Sequence, residues 1–334
     1  MATVNTVLGP VEANELGTTL IHEHLTLCHP GWECDALAPA YDREVIAAAC
    51  VEALREPKAY GLKTMVDASP LDLNRDVDLG KMVSERAGIN IVCATGMYME
   101  AMGKPAYLKF RRQLCDVETE VYETFMKEIT QGIGDTGVKA GVIKVATGDG
   151  CITPYEQIIL RAAARVQKET DVPIITHTEA GTMGPEQADL LMSEGVAPSR
   201  IMIGHVGGNA NLQYHTNILD KGAYIAFDRL GIELMAPDRL RKACIIGLIG
   251  VGYAERILLS HDYSPYWLGR PLQMPDFVQA LLADWSYAHV FKNVIPALKQ
   301  AGVSDDTVNT IMVENLRRLL AGARRCCPKL RGPR

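Results

Sequence analysis

Short apolar runs alternate along the chain with longer amphipathic segments. Eight of these runs are strand-like and rich in β-branched residues, at 18–25, 62–69, 89–96, 140–147, 172–178, 201–206, 223–229 and 256–263. Their apolar positions are nearly continuous, which is typical of strands buried on both faces, as in a parallel sheet.

Helical periodicity fills the segments between these strands. It is clearest at 43–61, 154–171, 185–195 and 237–255, where the pattern ends at a glycine or before a new apolar run. Strand alternating with helix eight times predicts an α/β fold, the (β/α)8 TIM barrel. The alternative is an open doubly wound sheet, which is disfavoured because no GxGxxG motif follows the first strand.

Further elements flank the predicted barrel. The sequence of residues 3–17 predicts a small hairpin that covers the barrel base. Residues 264–274 predict a long loop that forms a lid over the expected functional site. Residues 275–302 and 304–322 predict two closing helices. We found no repeat, low-complexity tract or linker, which indicates one domain.

Composition and charge narrow the class of protein. The 334 residues are 48% hydrophobic with a net charge of −6, although residues 324–334 hold five basic residues and no acid. We therefore predict a single domain over 1–322 and a disordered basic tail over 323–334. The acidic body argues against nucleic acid or a membrane as partner. The longest apolar stretch, 243–254, is too short to span a bilayer.

Cysteine usage and the amino-terminal sequence predict a cytoplasmic protein. The nine cysteines are scattered and form no CxxC pair, so neither a disulfide framework nor a zinc ribbon is indicated. The first residues have neither the basic nor the apolar region of a secretory signal.

The segment TTLIHEHLTL, residues 18–27, places two histidines one residue apart in an apolar run. Residues i and i+2 of a strand share a face, so His22 and His24 project together into the predicted barrel mouth. Two adjacent imidazoles can chelate a divalent metal. An isolated pair is also compatible with histidines satisfied by the backbone.

Other residues with metal chemistry occupy the same relative position on other strands. His177 ends strand five, His205 ends strand six, Asp262 ends strand eight, and Lys144 lies inside strand four. Strand ends of a barrel converge on one mouth, where the active sites of this fold are built. The set therefore predicts a metal site.

Lys144 needs a separate explanation, because an ammonium group next to dications would be repelled. Burial and nearby positive charge favour the neutral amine. A neutral lysine can add carbon dioxide to form a carbamate, whose two oxygens could bridge two metals.

Taken together, the segments LIHEHL, KVAT, ITHTEAGT, IGHVGGN and LSHDY resemble the phosphotriesterase family of the amidohydrolase superfamily. The resemblance implies a binuclear centre of divalent metals, with zinc first and cobalt, iron or manganese as alternatives. It places His22, His24 and Asp262 on the more buried metal and His177 and His205 on the outer one. Carboxylated Lys144 and a hydroxide would bridge the two. It also implies a homodimer.

Within that family the chain is similar to the phosphotriesterase-like lactonases. TGMYM places Tyr98 after strand three and FDRLG places Arg229 after strand seven, where the lactonases have a tyrosine and an arginine lining the substrate cavity. The turn ATGDGCIT is shorter than in many lactonases, and the lid loop has Trp267 as its single tryptophan. These departures bear on acyl-chain preference.

Several other acids and histidines receive minor roles. Glu23 is predicted to point away from the mouth, Glu179 to contact an outer-shell group, and His261 to face away from the ligands. Surface or supporting positions are predicted for His29, His215 and His289.

The residues and the resemblance together predict a metal-dependent hydrolase that opens lactones, N-acyl homoserine lactones among them, with promiscuous phosphotriesterase activity. Hydroxide attacks the carbonyl, and Asp262 takes the proton. The alternatives are a phosphotriesterase or aryl esterase as the main activity, a Schiff-base aldolase using Lys144, and a catalytically silent metal-binding barrel.

Overall fold

The computed structural model describes residues 2–321, and in that part of the chain eight parallel strands form one sheet preceded by an antiparallel hairpin. The hairpin strands are Thr3–Thr6 (β1) and Gly9–Glu12 (β2). The sheet strands are Thr18–Glu23 (β3), Leu62–Asp67 (β4), Asn90–Gly96 (β5), Val142–Thr147 (β6), Ile174–Thr178 (β7), Ile201–Ile203 (β8), Tyr224–Phe227 (β9) and Ile257–Leu259 (β10). Each pairs with its neighbours in sequence order.

Hydrogen bonds between β3 and the segment after β10 close this sheet into a barrel. Asp262 N donates to His22 O at 3.0 Å, and His24 N donates to Tyr263 O at 2.9 Å. The TIM barrel prediction is confirmed, and the open doubly wound sheet is wrong.

Helices surround the barrel and connect its strands. They are Arg43–Ala59 (α1), Val77–Ala87 (α2), Pro105–Arg111 (α3), Val117–Thr130 (α4), Pro154–Thr170 (α5), Gly184–Ser193 (α6), Leu212–Leu219 (α7), Asp238–Gly250 (α8), Asp276–Leu281 (α9), Ile295–Gln300 (α10), Asp305–Asn309 (α11) and Asn315–Ala321 (α12). Single turns of π-helix at Val290–Val294 and Thr310–Glu314 lead into α10 and α12. Within residues 2–321, no helix combines the length and apolarity that crossing a membrane requires.

Helix boundaries follow local capping chemistry. Asp42 accepts hydrogen bonds from Glu44 N and Val45 N at the start of α1. Thr153 and Glu156 form a reciprocal capping box at the start of α5. These caps explain why both helices begin where the sequence pattern predicts.

The barrel interior is itself a packed core, separate from the larger core between strands and helices. Alternate strand residues such as Val66, Val142 and Ile175 fill it, together with Val4 of the hairpin and Leu319 of α12. The predicted hairpin at the barrel base is confirmed, since Val7 N donates to Ile91 O at 2.8 Å. The amino end of the barrel is therefore closed, and its carboxyl end is where a ligand can enter.

Four predicted elements differ most clearly from the structure. The strands predicted at 201–206 and 256–263 are only three residues long each, so His205 and Asp262 follow strands rather than end them. Both residues have left-handed backbone, with φ of 58° and 55°. The left-handed conformation is incompatible with a strand that continues through either residue.

The helices predicted at 237–255 and 275–302 are also too long. The first ends at Gly250 and is followed by a turn. The second breaks after Leu281 because Trp285 turns inward, where its Nε1 donates to His261 O at 2.8 Å. The helix predicted at 304–322 is present to Ala321, whereas the basic tail at 323–334 lies outside the described residues.

Candidate metal centre

A cavity of about 440 Å³ opens at the carboxyl ends of the barrel strands. All eight site residues predicted from the sequence line it: His22, His24, Tyr98, Lys144, His177, His205, Arg229 and Asp262. Strand alternation accounts for much of this, because Val142 and Ile175 face the interior and Lys144 and His177 follow two residues later.

The histidines that follow along strand β3 face the cavity for a different reason. Ile21 packs inside the barrel, so simple alternation would point His22 outward. The pairing of β3 with β4 is irregular between Leu20 and Glu23, as in a β-bulge. This irregularity re-aims His22 and, two residues on, His24 toward the mouth.

Three side chains converge most closely. His22, His205 and Asp262 each offer a ligand atom within 4.8 Å of the others. Asp262 Oδ1 lies 3.5 Å from His22 Nε2, and Asp262 Oδ2 lies 3.7 Å from His205 Nε2. All three side chains are buried or nearly so.

Asp228 fixes the orientation of two of these rings. Its carboxylate accepts hydrogen bonds from His22 Nδ1 at 2.6 Å and from His205 Nδ1 at 2.9 Å. Both Nδ1 atoms then carry the ring protons, so both Nε2 atoms present lone pairs to the cavity. A carboxylate behind a histidine is the arrangement that holds metal-binding imidazoles in place.

His24 is oriented by a hydroxyl group. Its Nδ1 donates to Ser69 Oγ at 2.8 Å, and Ser69 in turn donates to Asp67 Oδ1 at 2.6 Å. The lone pair on His24 Nε2 therefore faces Asp262 Oδ1, which is 3.0 Å away.

The directions of these lone pairs show whether the site suits a cation. Imidazole lone pairs from His22, His24 and His205 all face the carboxylate of Asp262. Such groups repel one another unless a proton or a metal cation lies between them. The donor set of imidazole nitrogens and one carboxylate is the kind that zinc and related divalent ions prefer, so the residues fit a metal.

His177 completes the set from the opposite side of the mouth. Its Nε2 donates to Glu179 Oε2 at 3.0 Å, and its Nδ1 accepts from Tyr98 Oη at 3.3 Å. The ring centroid of His177 lies 4.5 Å from that of His205. Glu179 therefore contacts His177 itself, one of the predicted ligands, rather than an outer-shell group.

Lys144 is buried among these groups, and its Nζ donates to His22 Nε2 at 2.7 Å. Burial lowers the pKa of Lys144 to about 8, although Asp262 and Asp228 act in the opposite direction. A neutral amine is thus accessible at this position, as the sequence predicts.

Electrostatics favour neutral imidazoles and an ionised carboxylate. Burial lowers the pKa of His177 to about 4 and holds that of His205 well below its usual value. Burial alone would raise the pKa of Asp262, but His205, His22 and Arg229 outweigh it and hold this pKa well below the ordinary range. These are the protonation states that metal binding requires.

Arg229 and Tyr98 occupy the cavity as predicted. Arg229 Nε donates to Asp262 Oδ2 at 2.9 Å, and Tyr98 N donates to Asp72 Oδ1 at 3.0 Å. Outside these polar groups the wall is largely apolar, with Ile232, Leu234, Met235, Trp267, Val278 and Trp285. The predicted lid loop contributes Trp267 and Met274 to this wall.

Some supporting residues were missed or misplaced by the sequence analysis. Asp228 was missed, although alternation from Tyr224 and Ala226, which face the interior, points to it. His215 and His289 were predicted to be surface or supporting residues, and the surface position is wrong because both are buried. His215 is bonded to Val206 O and His289 to Asp238. His29 is exposed at the cavity rim.

Two predictions about residues that point away from the mouth are confirmed. Glu23 and His261 are both fully buried and face each other, with His261 Nδ1 donating to Glu23 Oε1 at 2.7 Å. Neither lines the cavity.

Comparison with known proteins agrees with this geometry. The model of the phosphotriesterase family matches residues 2–320. An aryldialkylphosphatase of Saccharolobus solfataricus is 35% identical over 306 residues, covering 91% of this chain and 95% of that protein. A solved organophosphorus hydrolase from Deinococcus radiodurans superposes with a TM-score of 0.93 at 45% identity, covering 95% of this chain and 96% of that one.

A further solved structure is that of a mutant PTE-like lactonase from Deinococcus radiodurans. It has a TM-score of 0.93 at 44% identity and covers 95% of this chain and 100% of that one. Matches of this extent take in the barrel, the hairpin and every strand that carries a cavity residue. The chain belongs to the phosphotriesterase family.

Proposed function

We propose that the protein is a binuclear metal-dependent hydrolase whose preferred substrates are lactones. The observation that carries this proposal is the set of lone pairs on His22, His24 and His205 directed at the carboxylate of Asp262. A cation held between these groups would make that arrangement favourable. The family relationship supports hydrolysis as the reaction class.

The proposed ligands divide into two groups. His22, His24 and Asp262 would hold the more buried ion, and His177 and His205 the outer one. Zinc suits these donors best, and cobalt, iron or manganese would also be accepted. When bound, such ions would supply Lewis acidity and lower the pKa of a bound water molecule.

Lys144 would join the two groups as a carbamate. The lone pair of the neutral amine attacks the carbon of carbon dioxide, a nitrogen–carbon bond forms, and one nitrogen proton is lost to solvent. The product is an anion with two oxygen donors in place of an ammonium. Burial of Lys144 and its pKa of about 8 support this modification.

Asp262 is proposed as the group that accepts the proton of the attacking water. Arg229 holds one carboxylate oxygen at 2.9 Å, which orients the other toward the reacting atoms. Tyr98 Oη lies at the cavity face of His177 and can donate to the substrate carbonyl or to the ring oxygen that leaves. Ring opening keeps that oxygen tethered, so no strong external acid is needed.

The cavity wall indicates an uncharged substrate with an apolar arm. Its outer part is lined by leucine, isoleucine, methionine and tryptophan side chains, and the Arg229 guanidinium is already paired with Asp262. A lactone ring near Asp262 with an acyl chain along the apolar wall fits this distribution, as in N-acyl homoserine lactones. The organophosphorus hydrolase and aryldialkylphosphatase names of the relatives support phosphotriester hydrolysis as a secondary activity.

The test is a hydrolysis screen of purified protein reconstituted with defined zinc. Lactones of increasing chain length, aryl esters and phosphotriesters are compared by kcat/KM, with an Asp262→Asn variant as the inactive control. We expect lactones to give the highest values. A preference for phosphotriesters or aryl esters over every lactone would make those the main activity, and trapping of a carbonyl substrate by borohydride would favour the aldolase.

We further propose a homodimer in a reducing compartment, the cytoplasm, with one domain over residues 1–322. All seven cysteines in the described part of the chain are unpaired, which supports a reducing environment. Light scattering coupled to size exclusion measures the assembly directly.

A further inference from the structure

Glu23 stands between two proposed ligands but points away from them, into the protein. Its carboxylate is fully buried and accepts four hydrogen bonds. Oε1 accepts from Ser260 Oγ at 2.7 Å, His261 Nδ1 at 2.7 Å and His261 N at 3.0 Å, while Oε2 accepts from Tyr263 N at 3.0 Å.

These donors bracket Asp262 on both sides. The peptide N–H before Asp262 and the one after it both end on Glu23, and the N–H of Asp262 itself donates to His22 O at 3.0 Å. Asp262 has a φ of 55°, a left-handed conformation that persists only where the surroundings impose it. Glu23 supplies that constraint.

Glu23 also reaches His22 through a hydroxyl. Ser260 Oγ donates to Glu23 and accepts from His22 N at 3.0 Å, so one serine links the two residues. The carboxylate therefore holds the backbone of both His22 and Asp262, which come from opposite ends of the chain.

The contacts of His261 show that Glu23 acts here by accepting hydrogen bonds. Val290 N donates to His261 Nε2 at 2.9 Å, so that nitrogen carries a lone pair. The ring proton that faces Glu23 is then on Nδ1, which donates to Oε1 at 2.7 Å. Both oxygens of Glu23 are therefore used as acceptors.

We propose that Glu23 is a positioning residue of the metal centre, which sets the Asp262 carboxylate against His22 by holding the peptide groups on either side of Asp262. The inference rests on the proposed function, because it assigns Asp262 to the metal.

The test compares Glu23→Gln with a matched control, Glu128→Gln. Glutamine has the same shape as glutamate, but an NH2 group replaces one carboxylate oxygen. That NH2 group must face an N–H or O–H donor and cannot accept a hydrogen bond from it. Glu128 is also buried, on α4, and accepts from Arg75 at 2.7 Å and Thr95 at 2.6 Å, outside the cavity lining. Both variants remove one buried carboxylate, so both lower the melting temperature.

Three readouts separate positioning from general stability. For zinc-loaded Glu23→Gln we expect kcat to fall about 10- to 100-fold with little change in KM, and zinc to be lost to a chelator faster by a similar factor. Amide hydrogen exchange should accelerate in the peptide covering 259–264. Glu128→Gln should leave kcat, zinc release and exchange of that peptide unchanged.

The inference is overturned if folded Glu23→Gln keeps wild-type kcat, zinc release and exchange. If that variant does not fold, Ser260→Ala decides the question, because it removes only the hydroxyl link. A loss of about 3-fold or more in kcat and zinc retention supports the inference, and unchanged values overturn it. A wild-type protein that binds no metal and hydrolyses no lactone instead overturns the proposed function, and with it the role of Glu23.

Discussion

Lys144 is the residue for which we propose the largest departure from ordinary side-chain chemistry. An ammonium next to two dications would be repelled, whereas a carbamate supplies the anionic oxygens that the site needs. We therefore predict that Lys144→Ala abolishes lactonase activity and that a short carboxylate such as propionate, at high concentration, restores part of it. Lys144→Arg should stay inactive, because a guanidinium offers no anionic oxygen.

The measurement is kcat/KM with and without the added carboxylate, accompanied by metal analysis. Mass spectrometry of the native protein should show an added carboxyl group that is lost on acidification. Near-normal rates in Lys144→Arg would contradict the bridging role.

Tyr98 and Arg229 bear on the choice between lactone and phosphotriester. A lactone presents a flat ring with one arm, whereas a phosphotriester presents three arms in a cavity that these two side chains narrow. Tyr98→Phe and Arg229→Ala should lower lactonase kcat/KM by about 10- to 1000-fold, the range for losing a hydrogen bond made mainly in the transition state. Triesterase activity should fall less or rise.

Metal content should stay at the wild-type level in both variants, and this is the control. If both variants kept the wild-type lactonase kcat/KM, Tyr98 and Arg229 would have no role in substrate selection. Only the assignment as a metal-dependent hydrolase would then remain.

At the residue scale the sequence identified the groups that face the cavity better than those behind them. Period-two alternation and motif resemblance found His177 and Lys144. Asp228 was missed because an aspartate after an apolar strand looks like an ordinary strand end, and nothing local shows that two distant histidines need its oxygens. The Ser69 contact with His24 likewise joins separate strands and leaves no local pattern.

At the scale of elements, the close contact between β5 and β6 limits which substitutions the site tolerates. Gly96 ends β5 with a φ of 125°, and a Cβ built there would lie 1.8 Å from Lys144 O. We predict that Gly96→Ala displaces the strand carrying Lys144, lowers the free energy of unfolding by more than about 1 kcal/mol and reduces metal content. Urea unfolding and elemental analysis measure the two effects.

Gly9→Ala is the matched control for this substitution. Gly9 has a φ of 114° but open space around its Cβ position, so it carries the backbone strain without the clash. The Gly9→Ala variant should have a somewhat lower free energy of unfolding and keep its metal. Equal metal loss in both variants would show that strain, and not contact with Lys144, is responsible.

Element boundaries were predictable where local chemistry sets them. The start of α5 follows from its capping box, and the eight strands follow from their apolar runs. The break after Leu281 was not predictable, because the helical pattern continues through Trp285 and only its bond to His261 O turns the chain. Strand β8 is shorter than its apolar run for a similar reason, since His205 leaves the sheet to reach Asp228.

At the scale of the whole molecule, bound metal should stabilise the fold. The proposed ligands come from strands spread around the barrel, and ions that bind only the folded state add to its stability by mass action. We predict that chelation lowers the melting temperature and that about two zinc equivalents restore it, as expected for a two-metal site. Calorimetry during titration checks this, and saturation below one equivalent would contradict two sites.

The barrel closure has a consequence for the making of the protein. The bond between Glu23 and Tyr263 spans 240 positions, so the two halves of the site are translated at opposite ends of synthesis. His22 and His24 leave the ribosome early but meet Asp262 only after the last barrel strand emerges, since such long-range pairing forms late. Nascent chains interrupted before that strand carry four of the five histidine and aspartate residues proposed as ligands, yet they lack the carboxylate that completes the proposed centre. We therefore expect metal to be loaded late in the life of each molecule.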